Sequence, residues 1–348
     1  MSALRIGVLS FAHVHAVGYL ASLAAMPDVE VRGSDPDGTS TGRSVDELRG
    51  RALADALGVG YADTYEELLA WRPDAVVITS ENARHRELVE LAAGAGAHIL
   101  CEKPLATSWE DGLAMRDAAA SAGVLLMVAF PVRFASVFQR LRAEHAAGAL
   151  GRLVSVRGAN NGMLPTARDW FTDPALAGGG ALVDHIVHIA DLLDGLMGSE
   201  PLTVTAVANR VLHAGRAASE TAGLVTITYA NGVIAAIDCS WSRPDTSPVW
   251  GGLTLSLAGT SGTVEIDFFG QAARGIVAGT GRPLEARYGP DFDDALLATF
   301  VDAVRTGTQP QPDVHVGLRT LSIVLAAQES ARTGRTVHVL REEAAPAP

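Results

Sequence analysis

The stretch Leu4-Arg5-Ile6-Gly7-Val8-Leu9-Ser10-Phe11-Ala12-His13-Val14-His15 decides the fold. Leu4 to Ser10 is a short apolar run that reads as a buried strand, and helical spacing starts at Val14 and lasts to Ala25. A buried strand passing straight into a helix opens a βα unit, and the alternation continues downstream. Pro27-Asp28 breaks the helix, Val29 to Gly33 reads as a second strand, and Asp46 to Leu57 is helical up to Gly58. A short helix is expected at Tyr65 to Ala70, a strand at Ala75 to Thr79, and a helix at His85 to Ala95. A strand at His98 to Cys101, a helix at Trp109 to Ala122 and a strand at Leu125 to Phe130 follow. This is the pattern of a parallel sheet covered by helices.

The texture changes after about Gly148. Leu153 to Gly158, Leu202 to His213, Ala222 to Tyr229, Val233 to Ser240, Leu253 to Ala258 and Thr263 to Phe268 are β-rich. Hairpin signals such as Asn231-Gly232 favour an open, mostly antiparallel sheet. Helices are expected at Ala181 to Leu196, Phe292 to Arg305 and Val316 to Thr333. The fold class is therefore α/β: an N-terminal Rossmann-type parallel sheet, then an α+β domain on an open, mostly antiparallel sheet. The expected boundaries are 1–130 for dinucleotide binding and 131–341 for substrate binding and oligomerisation, with a flexible tail at 342–348. A chain of 348 residues exceeds one ordinary core, which agrees with two domains.

Composition narrows the function. With 48% hydrophobic and 19% charged residues the chain has ample core material. Its formal net charge of -12 and the lack of a dense Lys/Arg stripe argue against a nucleic-acid partner. No apolar run approaches the roughly 18 residues that span a bilayer. The start lacks the basic and apolar regions of a signal peptide, so no membrane partner and a cytoplasmic location are expected. Cys101 and Cys239 lie far apart and form neither a zinc knuckle nor a disulfide framework.

Four segments carry chemistry. In the β–α junction, Ser10, Ala12 and His15 stand where a G-x-G-x-x-G fingerprint would place glycines, at the helix N-terminus that favours a pyrophosphate. Asp35 closes the second strand, where a carboxylate accepts hydrogen bonds from adenosine ribose hydroxyls. With no Arg immediately after it, NAD is favoured and NADP is the alternative. Glu102-Lys103-Pro104 follows a buried strand at the carboxyl end of the sheet, where a Lys can polarise a substrate oxygen. An ordinary solvated loop pair is the bland alternative. Finally, Gly178-Gly179-Gly180 opens a helix on which Asp184 and His188, four apart, share a face. An imidazole beside a carboxylate is a natural base for a hydroxyl proton, though such a pair is often only a surface contact. His185 points about 100° away and is a packing residue or a site residue. A metal held by His13, His15 and His185 is a minor alternative, and no metal is assigned.

Together these residues resemble the glucose–fructose oxidoreductase / inositol 2-dehydrogenase / rhizopine-catabolism (Gfo/Idh/MocA) family over nearly the whole chain. Ala95 to Ala106 matches the family's A-G-K-H-V-x-C-E-K-P-x-A, Gly178 to His188 its G-G-G-x-L-x-D-x-G-x-H, and Thr79 to His85 its T-P-N-x-x-H segment. The resemblance implies Lys103, Asp184 and His188 as the catalytic trio, with His188 as acid/base and Lys103 as the oxygen-polarising cation. It also implies a cofactor lining of Ser10, Phe11, Ala12, His13, Asp35, Thr79, Ser80, Asn82, His85, Glu102, Lys103 and Arg133. The implied substrate contacts are Arg168, Trp170, His185 and the trio, with a sugar, cyclitol or polyol as substrate and a homodimer or homotetramer as the assembly. Three functions follow: net hydride transfer, a redox-neutral lyase-type reaction using tightly held NAD, and a non-catalytic ligand-binding role.

Overall fold

The structure, a computed structural model, describes residues 3–38, 48–277, 282–287, 289 and 291–342. The elements begin with β1 (Leu4–Leu9), α1 (His15–Ala25), β2 (Val29–Ser34), α2 (Gly50–Leu57), β3 (Gly60–Tyr61) and α3 (Tyr65–Ala70). Next come β4 (Ala75–Ile78), α4 (His85–Gly94), β5 (His98–Glu102), α5 (Trp109–Ala122), β6 (Leu126–Ala129) and α6 (Ser136–Ala146). Then follow β7 (Leu153–Met163), α7 (Pro174–Ala177), α8 (Ala181–Met197), β8 (Pro201–Asn209), β9 (Ala222–Tyr229) and β10 (Ile234–Arg243). The chain ends with β11 (Gly251–Gly259), β12 (Thr263–Asp267), β13 (Ala272–Val277), β14 (Arg282–Arg287), α9 (Phe292–Thr306), α10 (Val314–Thr333) and β15 (Val337–His338).

Two compact units divide this chain. One comprises Met1–Phe134, Pro165–Gly178 and Pro290–Gly317; the other comprises Ala135–Leu164, Gly179–Gly289 and Leu318–Pro348. The first holds a sheet of order β3-β2-β1-β4-β5-β6 with every pairing parallel. Strand order reverses between β1 and β4, and the carboxyl ends of those strands are where open α/β sheets form their ligand crevice. Ile6, Val8, Val77 and Leu100 of the sheet are buried in one cluster with Leu20 of α1 and Leu297 and Phe300 of α9. Helix α9, far downstream of the last strand of the N-terminal sheet, thus closes its core.

The second unit holds a sheet of order β12-β11-β7-β10-β9-β8-β15, antiparallel except for the parallel pair β7–β10. Helix α8 packs on it against β7, β9 and β10. Gly158 makes room there: a Cβ would lie 2.8 Å from the Ile189 side chain. The strand is expected to end at Gly158, yet β7 continues to Met163, with Gly158, Asn160 and Gly162 alternating into the interior.

Helices α3 and α5 and strand β9 fall on their expected residues. The expected start of α2 at Asp46 lies outside the described residues, and the described helix begins at Gly50. The tail beyond residue 342 also lies outside them. Helix α6 escaped the sequence reading because it buries only Phe138 and Leu141. One correction concerns apolar length: Pro174–Met197 is long and apolar enough to cross a membrane, but 78% of its most apolar window is buried inside the protein. It is a core helix by packing.

Candidate active site

The turn after β1 keeps the shape of a glycine fingerprint without its glycines. Ser10 has φ 67°, the left-handed region that a first glycine would supply. It is held there by Ser10 N–H donating to the Ser34 carbonyl (2.7 Å) and by Thr79 Oγ1–H donating to the Ser10 carbonyl (2.6 Å). Phe11 is fully buried with its ring over Gly33, where a Cβ would stand 2.3 Å from Phe11 Cζ. Phe11 is therefore a core residue.

Asp35 is buried at the end of β2, but it is not an open carboxylate. Oδ1 accepts from Phe11 N–H (2.9 Å) and Arg49 Nη2 (2.7 Å); Oδ2 accepts from Arg49 Nε (2.6 Å) and Gly50 N–H (3.0 Å). These bonds fill the acceptor capacity of a carboxylate. The preference for NAD drawn from the lack of an Arg immediately after Asp35 loses its basis, because a guanidinium from fourteen residues downstream neutralises Asp35. Arg49 carries no motif and was missed.

At the ends of β4 and β5 the remaining expected residues cluster. Thr79 and Ser80 are fully buried, and Asn82 Nδ2 donates to the Ala177 carbonyl (2.8 Å). His85 Nδ1 bonds the carbonyls of Pro104 (3.0 Å) and Leu105 (3.2 Å), and burial pushes its pKa down. It is a neutral brace for the loop that carries Lys103. Lys103 is 5% exposed, and its peptide bond to Pro104 is cis.

Glu102 is fully buried with Oε1 2.8 Å from His15 Nδ1 and 3.9 Å from His13 Nδ1. Its Oε2 accepts the Lys103 N–H (3.1 Å). Burial would push this carboxyl up; His13, His15 and Lys103 overcome that and hold it well below the usual carboxylate range. The three ligand-type atoms lie within 4.8 Å of one another. Even so, 2.8 Å is a hydrogen-bond distance, shorter than the roughly 3.3 Å between two ligands at zinc bond lengths. His13 Nδ1 also spends its lone pair on the His15 N–H (3.1 Å). The group is a hydrogen-bonded ion pair.

Residues 165–178 return to this unit. Trp170 Nε1 donates to the Ala12 carbonyl (3.0 Å), Phe171 stacks on Trp170 at 3.9 Å, and the His13 ring meets Phe171 at 5.2 Å. Arg168 and Arg133 are both buried, the latter in a 3-10 turn at Pro131–Phe134.

In the second unit, α8 is buried along its first ten residues except at Asp184 and His188. A carboxylate and an imidazole are thus the half-buried positions of this otherwise buried stretch of α8, on one face. Trp241 Nε1 donates to Asp184 Oδ2 (3.0 Å), while His185 is buried with Nε2 3.7 Å from the same oxygen. Trp241 is fully buried on β10. The glycines before α8 serve the protein's own packing. Gly178 has φ 82° against Thr107, and a Cβ on Gly180 would lie 2.0 Å from the Glu220 carbonyl.

Two family models match the chain: an oxidoreductase-family model described as an NAD-binding Rossmann fold, over residues 43–130, and a GFO/IDH/MocA C-terminal domain, over residues 138–265. A relative from Haloferax volcanii, named D-xylose 1-dehydrogenase (NADP(+)) 2, is 33% identical over 300 residues, covering 85% of this chain and 90% of the relative. This chain belongs to the Gfo/Idh/MocA family. A second relative, the 1,5-anhydro-D-fructose reductase of Ensifer adhaerens, is 29% identical over 84% of this chain and 88% of its own length. Among solved structures, GenD2 from gentamicin A biosynthesis in complex with NAD superposes with a TM-score of 0.86 at 27% identity, covering 98% of this chain and 97% of that one.

The family's cofactor fits the residues present. Ser10 supplies the left-handed turn, the crevice lies at the strand-order reversal, and Lys103 stands at the carboxyl end of β5. Sequence reasoning missed Arg49, the clamp from Trp241 and the Glu220 side chain, which accepts the Gly180 and Leu182 N–H groups at the start of α8 (2.9 and 3.1 Å). Each acts across a distance along the chain that no local motif records.

Proposed function

We propose that this Gfo/Idh/MocA member is an NAD(P)-dependent dehydrogenase acting on a secondary alcohol of a sugar, cyclitol or related polyol. The bound nicotinamide supplies the hydride acceptor or donor. His188 takes the hydroxyl proton, Lys103 steadies charge developing on the substrate oxygen, and Asp184, held by Trp241, completes the trio. Ser10, the backbone of Phe11 and Ala12, His13, Thr79, Ser80, Asn82 and Glu102 belong to the cofactor side; Arg133, Arg168 and Trp170 belong to the nicotinamide and substrate side. The carrying observation is the burial pattern of α8, where only Asp184 and His188 are half-buried rather than buried along its first ten residues. The relatives' names, a dehydrogenase and a reductase, agree with net redox chemistry, and the redox-neutral alternative is not favoured.

In this reading residues 1–130 bind the dinucleotide, 131–341 present the substrate and form a homodimer or homotetramer, and the enzyme works in the cytoplasm. Formation of reduced nicotinamide with a panel of sugars and cyclitols tests the activity. Lys103→Met is expected to lower kcat by about 10²-fold or more while NAD(H) affinity holds, as for loss of an electrostatic stabiliser of the transition state. Equal losses in binding and turnover would remove Lys103 from the chemistry.

A further inference from the structure

The turn that should cradle a pyrophosphate has spent most of its backbone donors internally. Phe11 N–H goes to Asp35, Ala12 N–H to Ser10 Oγ (3.2 Å), His13 N–H to the Thr79 carbonyl (2.8 Å) and His15 N–H to His13 Nδ1. Among the described residues, no bond is found for the Val14 N–H. A buried carboxylate, Glu102, lies beneath the same turn, and its charge opposes an incoming anion. His15 occupies the third-glycine position as the first residue of α1; its side chain is 29% exposed and its Nδ1 meets Glu102 Oε1 at 2.8 Å.

We propose that His15 is a positioning residue of the cofactor cradle: as an imidazolium bonded to Glu102 it cancels the buried charge under the α1 N-terminus, and so admits the pyrophosphate. The inference rests on the cofactor reading above and deepens it. The groups facing His15 come from every neighbouring element: Tyr19 on its own helix (Oη 3.5 Å from Nδ1), His13 in the turn (rings 4.2 Å apart), Glu102 on β5, Lys103 after it, and Asp293 in the first turn of α9. Burial and Lys103 work against the proton on His15; Glu102 and Asp293 outweigh them and raise its pKa above the ordinary value. The imidazolium therefore persists to higher pH than a free histidine's would, and is lost as pH rises through that raised value. Glu102 then loses its hydrogen-bonded counter-charge, and its repulsion of the cofactor grows. By linkage, an anion bound at the turn raises the His15 pKa further.

The test measures NAD(H) dissociation constants by fluorescence against pH, for the wild type, His15→Asn and the double variant His15→Asn/Glu102→Gln. For a one-unit pKa shift on binding, the wild type is expected to weaken about ten-fold between about pH 6 and about pH 9. His15→Asn is expected to bind about ten-fold more weakly at the acid end with no slope across that window, and the double variant to recover to within about three-fold of the wild type. A histidine-resolved NMR titration of the wild type gives a second readout, in which saturating NAD should raise the His15 pKa. Binding with the same pH slope in wild type and His15→Asn, or a His15 titration unmoved by NAD, overturns this inference and leaves the cofactor reading intact. No binding at any pH overturns both.

Discussion

Replacing Glu220 by Ala strikes the helix that carries Asp184 and His188 without touching either residue. One carboxylate oxygen of Glu220 accepts the Gly180 N–H at 2.9 Å and the Leu182 N–H at 3.1 Å; its backbone carbonyl accepts the Ala181 N–H at 2.9 Å. The unpaired donors of the α8 N-terminus are thus met largely by one residue from before β9. Alanine keeps the carbonyl bond and loses the other two. Hydrogen bonds to a charged acceptor contribute about 1.5–3 kcal/mol each. The gross loss is partly offset, because burial raises the Glu220 carboxyl above its ordinary range and its charge is costly to hold. A net loss of about 2–3 kcal/mol follows, equivalent to a drop of about 4–12 °C in Tm for a unit of this size. Glu220→Gln keeps an acceptor and gives up the charge, so it should cost less than about 1 kcal/mol. Thermal unfolding followed by circular dichroism measures both, and hydrogen exchange should show lost protection at 181–185 in the Ala variant alone. An Ala variant that melts with the wild type would refute this account of the α8 start.

Asp293 should make stability fall as pH rises. Burial, set against the favourable charge of His15, pushes its pKa up to about 6, and among the described residues its Oδ1 has no hydrogen-bond partner. Between its ordinary value and about 6 the folded state binds more protons than the unfolded one, so stability declines with pH across that window. Asp293→Asn should therefore be up to about 2 kcal/mol more stable than the wild type near pH 8 and no better near pH 4, by melting at both; the opposite order would exclude a costly buried charge. For Gly33→Ala, the new Cβ would stand 2.3 and 2.9 Å from Phe11 ring atoms in a fully buried site. Denaturant unfolding should show a loss of about 1–3 kcal/mol from overpacking, and unchanged stability would mean that Phe11 has somewhere to go.

Much was legible because it is local. Leu4 to Ser10 followed by the helical spacing from Val14 announced the first βα unit, and the same periodic argument located α3, α5 and β9 to the residue. Lys103 at a strand end and the Asp184–His188 spacing on a helix are also local patterns, so these side chains were found as candidates. Asp35 shows the limit. Its place at the end of β2 was readable, but its state was not, since Arg49 and Gly50 reach it only through a tertiary return of the chain.

Periodicity, turn chemistry and strand-end position come from neighbours within a few residues, and they settled the alternation of elements and the chemical candidates. Charge, hydrogen-bond saturation and exposure depend on partners brought from afar. Only the folded chain therefore decided that Asp35 is neutralised, that Phe11 is core, that His15 stands on Glu102, and that Asp184 and His188 are the half-buried residues among the first ten of α8. The physical reason is that burial strengthens every charge interaction and removes water as the alternative partner.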